Sequence, residues 1–131
     1  MSQENVELLR RWVNAVNART VPEFVTPDFR IENISTALTN KTYVGAEGVR
    51  EWMDDHFGAF APGVEFRIDE VVADGDDYVV AFCSLTGKGA ASGVPIQLRW
   101  TGVAWFHDGQ ATRAAAFARR RDALKAVGLE E

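Results

Sequence analysis

The sequence predicts an α+β fold in which a curved antiparallel sheet wraps around helices, cone-like, and encloses an apolar pocket. Three observations predict it. Apolar residues recur at three- and four-residue spacing over residues 2–18, over 46–60 and again near the end, which is the period of a helix. From Val64 to Ala118 apolar and polar residues tend instead to alternate, in runs separated by Asp-Gly turn signals. Eight Phe and four Trp are generous for 131 residues and call for an aromatic interior or cavity wall.

The elements follow in order. Ser2 to Ala18 reads as a first helix, with Val6, Leu9, Val13 and Val16 on one stripe. Ser2 is its N-cap candidate, although Asn5 stands where a capping box would want Glu or Gln. Thr20, Val21 and Pro22 open a short second helix or turn, with Thr20 as N-cap, closed by Thr26-Pro27-Asp28. Phe29, Ile31 and Asn33 then alternate with Arg30 and Glu32, a strand with one buried face on which Asn33 is the polar member. Residues 35–45 read as a loop. A third helix begins at Ala46, and Val49, Trp52, Met53, His56, Phe57 and Phe60 form one stripe with His56 as its odd member. Pro62-Gly63 stops it.

The remainder is mostly strand. Val64, Phe66 and Ile68 alternate with Glu65, Arg67 and Asp69, and Asp74-Gly75-Asp76-Asp77 is a hairpin turn. Strands over Tyr78–Gly87, Val94–Phe106 and Ala111–Ala118 follow, the last two joined by Asp108-Gly109. A final helix over Asp122–Val127 ends at Gly128. The expected order is helix, helix, strand, helix and a four-strand antiparallel meander, in one domain spanning residues 1–131.

Composition narrows the function classes. The net charge of −5 carries no basic footprint for nucleic acid, and Arg119-Arg120-Arg121 reads as a solvated helix start. Cys83 is the single cysteine, set in an apolar run as a small core residue. No stretch approaches the roughly 20 apolar residues of a membrane span. The start, MSQENVELLRR, lacks a signal-peptide pattern, so a cytoplasmic protein is expected and the sequons at Asn33 and Asn40 carry no weight.

Few positions offer chemistry. The run Gly87-Lys88-Gly89-Ala90-Ala91-Ser92-Gly93 leads into a strand, whereas a phosphate-cradling loop leads into a helix, so no nucleotide is expected. The two histidines, one cysteine and scattered carboxylates make no ligand cluster, so neither metal nor other cofactor is expected. What stands out are polar or bulky aromatic residues facing an apolar interior. His56 is either a satisfied core histidine or a pocket-lining acid, base or hydrogen bonder. Asn33 either ties down a loop or meets a ligand. Trp12 and Trp100 each offer an N–H beside a large apolar surface, and Trp52 shares the stripe of His56.

Five segments, ENVELLRRWVNAVNA, TPDFRIEN, YVGAEGVREWM, FHDGQATR and RRRDALKAVGL, together span nearly the whole chain. In their order and spacing the sequence resembles the SnoaL-like branch of the nuclear transport factor 2-like superfamily, which includes ketosteroid isomerase and has a cystatin-like cone. The resemblance implies a pocket between sheet and helices, a homodimer through the outer sheet face, and cofactor-free acid–base chemistry on small apolar molecules. Ketosteroid isomerase pairs an aspartate base with a tyrosine and a protonated aspartic acid. Laid on this chain, the base falls at Asn33, the second acid near Gly102 and the tyrosine near Trp12. An amide takes no proton at neutral pH and glycine has no side chain, so the isomerase mechanism is not expected unchanged.

Three readings follow. The first is an isomerase, cyclase or hydratase-type enzyme with His56 as acid or base, while Asn33 and Trp12 orient a carbonyl or hydroxyl, and Trp52, Trp100 and Gly102 form the binding surface. The second is a binding module that holds a small apolar molecule in the same pocket without catalysis. The third is an interaction domain presenting Gln97, Arg99, Thr101, Val103 and Trp105 to itself or a partner.

Overall fold

Helix α1 (Ser2–Asn17) leads into strands β1 (Val25–Asn33) and β2 (Thr42–Val44), then α2 (Gly45–Phe57), β3 (Glu65–Asp74), β4 (Tyr78–Lys88), β5 (Pro95–His107), β6 (Gln110–Phe117) and α3 (Arg120–Ala126). The computed structural model describes residues 2–33 and 41–129, with the side chains of Ser2 and Asn33 outside that description. Residues 35–40 of the expected 35–45 loop therefore lie outside the described residues.

One sheet contains every strand, in the order β2-β1-β6-β5-β4-β3, and it does not close, because β2 and β3 lie at opposite edges. The meander β3 to β6 is antiparallel as expected, but β1 joins it parallel to β6, pairing Ile31 with Ala114 and Asn33 with Ala116. Periodicity reveals a strand and its faces; it carries nothing about which distant strand completes the ladder. Register shifts at Ile68/Glu70, Val71/Ala73 and Trp105/Phe106 insert bulges, which bend strands and increase their twist. The sheet thereby curves around α1 and α2.

Three local expectations change. No second helix forms at Thr20–Pro22. The Thr20 backbone N–H and hydroxyl both donate to the Ala15 carbonyl (2.9 and 3.1 Å), so Thr20 closes α1 rather than opening a new helix. Arg19, at φ 60°, assists by donating to the Val16 carbonyl while its guanidinium lies 3.9 Å from the Phe57 ring centroid. Thr26-Pro27-Asp28 lies inside β1 at a register shift, where a strand accommodates proline. Within the expected loop, residues 42–44 form the edge strand β2, too short for an alternation signal.

Two asparagines of α1 fix the helix against the sheet. Asn17 takes a hydrogen bond from the Phe66 N–H and gives one to the Phe66 carbonyl (2.8 and 2.9 Å), satisfying backbone groups on the open edge of β3. Asn5, where a capping box would have Glu or Gln, is buried and donates to the Asp76 carbonyl at 2.8 Å. Its amide holds the β3–β4 turn instead of the start of its own helix.

The glycine-rich run makes a strand-to-strand connection, as its continuation into β5 requires. A Cβ on Gly87 would lie 3.1 Å from both Phe60 and Val64, so this glycine permits close packing of the segment after α2. On the outer face, α3 covers part of the sheet: Val80, Val103 and Phe117 form a second core with Ala123 and Leu124. Thr101 and Val103 are consequently buried, while Gln97 and Arg99 remain exposed. Among the described residues no helix is long and apolar enough to cross a membrane.

Candidate functional site

The cavity arises from small residues on the concave face. Across the sheet Ala81 pairs with Gly102, Gly102 with Ala116, and Ala116 with Asn33. The neighbouring row runs Val79, Ala104, Ala114, Ile31. Opposite this thin wall stand the aromatic residues of α1 and α2, and between them lies a cavity of about 440 Å³. That volume suits a small organic molecule.

Rings build the remaining wall. Trp12 packs on Phe29 and Trp52 (centroids 5.6 and 6.1 Å), Trp52 on Phe66 (6.1 Å), and Phe66 edge-on to Trp100 (5.4 Å). Trp52 sits on the apolar stripe of its helix, which is why the 3.6-residue period finds it. No indole N–H of Trp12, Trp52 or Trp100 donates to an acceptor among the described residues. The sealed polar side-chain atoms there without partners are Thr26 Oγ1 and Ser84 Oγ, so these indole nitrogens are not sealed.

His56 lines the same cavity, its ring 5.2 Å from that of Trp52. Its Nδ1 lies 2.9 Å from the Trp52 carbonyl oxygen. A carbonyl only accepts, so Nδ1 carries the proton, and in the neutral ring the basic lone pair is on Nε2. Burial lowers its pKa below the ordinary 6.5, against smaller upward effects of the Trp52 carbonyl and Asp55. At neutral pH the ring is uncharged and able to accept a proton.

This shift has a measurable sign. Between 6.5 and the lower folded pKa the unfolded chain binds more protons than the folded one, so stability rises with pH there. The contribution is complete above 6.5, is lost as pH falls through that window and is constant below it. Urea unfolding of wild type and His56→Gln between pH 7 and 5 is expected to show a flatter profile for the variant; parallel profiles would contradict the assignment. Asp55 acts lower on the scale: its carboxyl is held below 3.8, chiefly by the Tyr43 hydroxyl at 2.7 Å and also by Lys41.

Cys83 sits on the wall beside Gly102, its thiol pushed up to about 12 by burial, which makes it an inert surface. The described residues contain no group of three or more His, Cys, Asp or Glu that could hold a metal ion. Of the sequence-predicted site residues, Trp12, Trp52, His56, Trp100 and Gly102 all line one cavity. Asn33 pairs through its backbone with the wall residue Ala116, and its side chain lies outside the described residues.

Residues 8–114 match the model of the SnoaL-like domain. The chain belongs to the SnoaL-like family. No curated protein sequence matches this SnoaL-like chain. Among solved structures it is similar to a hypothetical protein with a ketosteroid isomerase-like fold from Catenulispora acidiphila DSM 44928, in complex with trimethylamine (16% identity, 94% of this chain, 93% of that chain, TM-score 0.69). It is also similar to TerC co-crystallized with polyporic acid (17% identity, 95% and 98%, TM-score 0.71). A Jannaschia sp. CCS1 protein assigned as a SnoaL-like polyketide cyclase is comparable (22% identity, 100% and 96%, TM-score 0.66). These similarities establish the fold: among the described residues, three helices with a curved, unclosed six-stranded sheet, as in nuclear transport factor 2-like and cystatin-fold proteins.

The sequence reading missed the alanine wall. Ala111, Ala114, Ala116 and Ala118 all line the cavity, in and just after β6. Alanine is depleted in strands, so an alanine-rich strand is a readable request for space.

Proposed function

We propose that this SnoaL-like protein binds a small hydrophobic carbonyl or hydroxyl compound in the cavity and moves a proton on it, with His56 as the proton acceptor. The observation that carries the reading is the Nδ1 bond of His56 to the Trp52 carbonyl, which leaves a basic Nε2 on an otherwise apolar wall. A half-buried neutral imidazole is suited to take a proton from carbon or oxygen near neutral pH, and such a base contributes about 10²–10⁴-fold in rate.

A donor for the developing negative oxygen is also at hand. A Cβ built on Gly102, where the family resemblance puts the second acid, would lie 3.5 Å from Trp100 Nε1. The indole N–H can therefore offer a hydrogen bond in the space a side chain at residue 102 would fill, a role that elsewhere falls to a protonated carboxyl. Trp12 supplies a further N–H.

Deuterium incorporation next to the carbonyl of 2-tetralone in D2O, followed by proton NMR, tests the reading. Wild-type protein is expected to accelerate exchange, and His56→Gln to reduce the acceleration by about 10²–10⁴-fold. Equal exchange with the two proteins would contradict the role of His56. A binding module without catalysis is the second reading, favoured by the bare Gly102 and the inert Cys83 thiol. It requires 2-tetralone to raise the melting temperature without exchange.

A further inference from the structure

We infer that the ligand is an amphipathic organic anion, its apolar body in the cavity and its anionic group outside at the Arg99 guanidinium. The inference deepens the proposal above and rests on the cavity being a binding site. It comes from where the sheet ends. The β5–β6 ladder begins at Thr101↔Phe117, so residues 95–100 of β5 have β4 on one side and no β6 partner on the other. After Phe117 the chain turns away into α3. Among the described residues, no strand covers residues 95–100 on that side of β5.

A second, open depression of about 500 Å³ lies there, and Cys83, Arg99, Trp100 and Ala118 belong to its wall and to the wall of the inner cavity alike. Cys83 and Trp100 are inner-face residues, whereas Arg99 is exposed and points its strand position to the outer side. Arg99 makes no ion pair with the described residues. Arg120 lines the outer depression as well, 5.7 Å from the Phe82 ring centroid, and so does one carboxylate, Asp69. Arg99 is thus an exposed guanidinium, without an ion pair among the described residues, on the wall that the two spaces share. An apolar chamber with an exposed guanidinium on its wall fits a molecule with a ring system at one end and a carboxylate or similar group at the other.

Calorimetric titration with 2-naphthoate and 2-naphthylmethanol, which share one ring system, tests this on wild type and Arg99→Gln. Wild type is expected to prefer the acid by about tenfold, the scale of one charge-assisted hydrogen bond. Arg99→Gln is expected to bring the ratio of the two dissociation constants close to one. Raising the salt to 0.5 M is expected to narrow the wild-type preference, because the guanidinium is exposed. If both compounds bind but wild type shows no preference, or Arg99→Gln keeps it, the anionic group is not read by Arg99 and this inference fails while the binding reading stands. If neither compound binds, the binding reading fails and takes this inference with it.

Discussion

Replacing Trp52 by alanine is expected to lower the unfolding free energy by about 3–5 kcal/mol, the largest stability loss of any single change considered for this protein. Trp52 is nearly sealed, and its ring touches those of Trp12, His56, Phe57 and Phe66. From α2 it joins the α1 aromatic wall to Phe66 on the β3 edge. Removing it takes away both the transfer energy of a large ring and the contacts of its neighbours, and the existing cavity leaves those neighbours little to collapse against. The His56 ring would also lose the face on which it lies. Denaturant unfolding at neutral pH measures the effect; a loss below about 1 kcal/mol would mean that Trp52 lines a loose wall rather than holding two walls together.

Filling the cavity from the opposite side is expected to separate folding from binding. Gly102→Leu places a side chain between Trp100 and the Ala81–Ala116 row. The new Cβ would lie 3.2 Å from Cys83 Sγ, a contact that a small shift or an added Cys83→Ala relieves. The fold is expected to survive with a change of about 1–3 kcal/mol or less, since the added methyl groups enter space already present. Stabilisation by any cavity ligand is expected to vanish. For the wild type at a hundredfold excess over Kd that stabilisation is about 2.7 kcal/mol, easily read as a melting shift. A Gly102→Leu protein that still shifts with the same ligand would place the ligand elsewhere.

Much of the molecule was legible before any coordinates. The stripe of α2 placed Trp52 and His56 toward the interior because side chains three and four apart share a helix face, and Trp12 stood out as a large ring with an N–H to place. The Asp-Gly turns fixed the meander and so brought Trp100 and Gly102 onto the concave side with them. What could not be read is what long-range pairing decides. The parallel union of β1 with β6 sets Ala116 beside Asn33, yet the two are far apart in sequence and no local signal links them. Thr20 was ambiguous for a physical reason: the same hydroxyl that caps a helix start can close the preceding one, and here the Ala15 carbonyl claims it. Arg99 looked like one more exposed strand residue, because its position beyond the end of β6 is a property of the ladder.

The position of α3 bears on the interaction reading. It buries Val103, in the middle of the surface expected to meet a partner, against Leu124 and its neighbours, and Thr101 beside it is buried as well. What remains outward on that strand is Gln97, Arg99 and the half-buried Trp105.

A crystal structure under xenon pressure tests the existence of the chamber most directly, since xenon enters apolar space that water leaves. Xenon is expected between Trp100 and Ala116, near the bare Cα of Gly102. Indole and phenyl rings packed solidly across that space, with no xenon taken up, would contradict it.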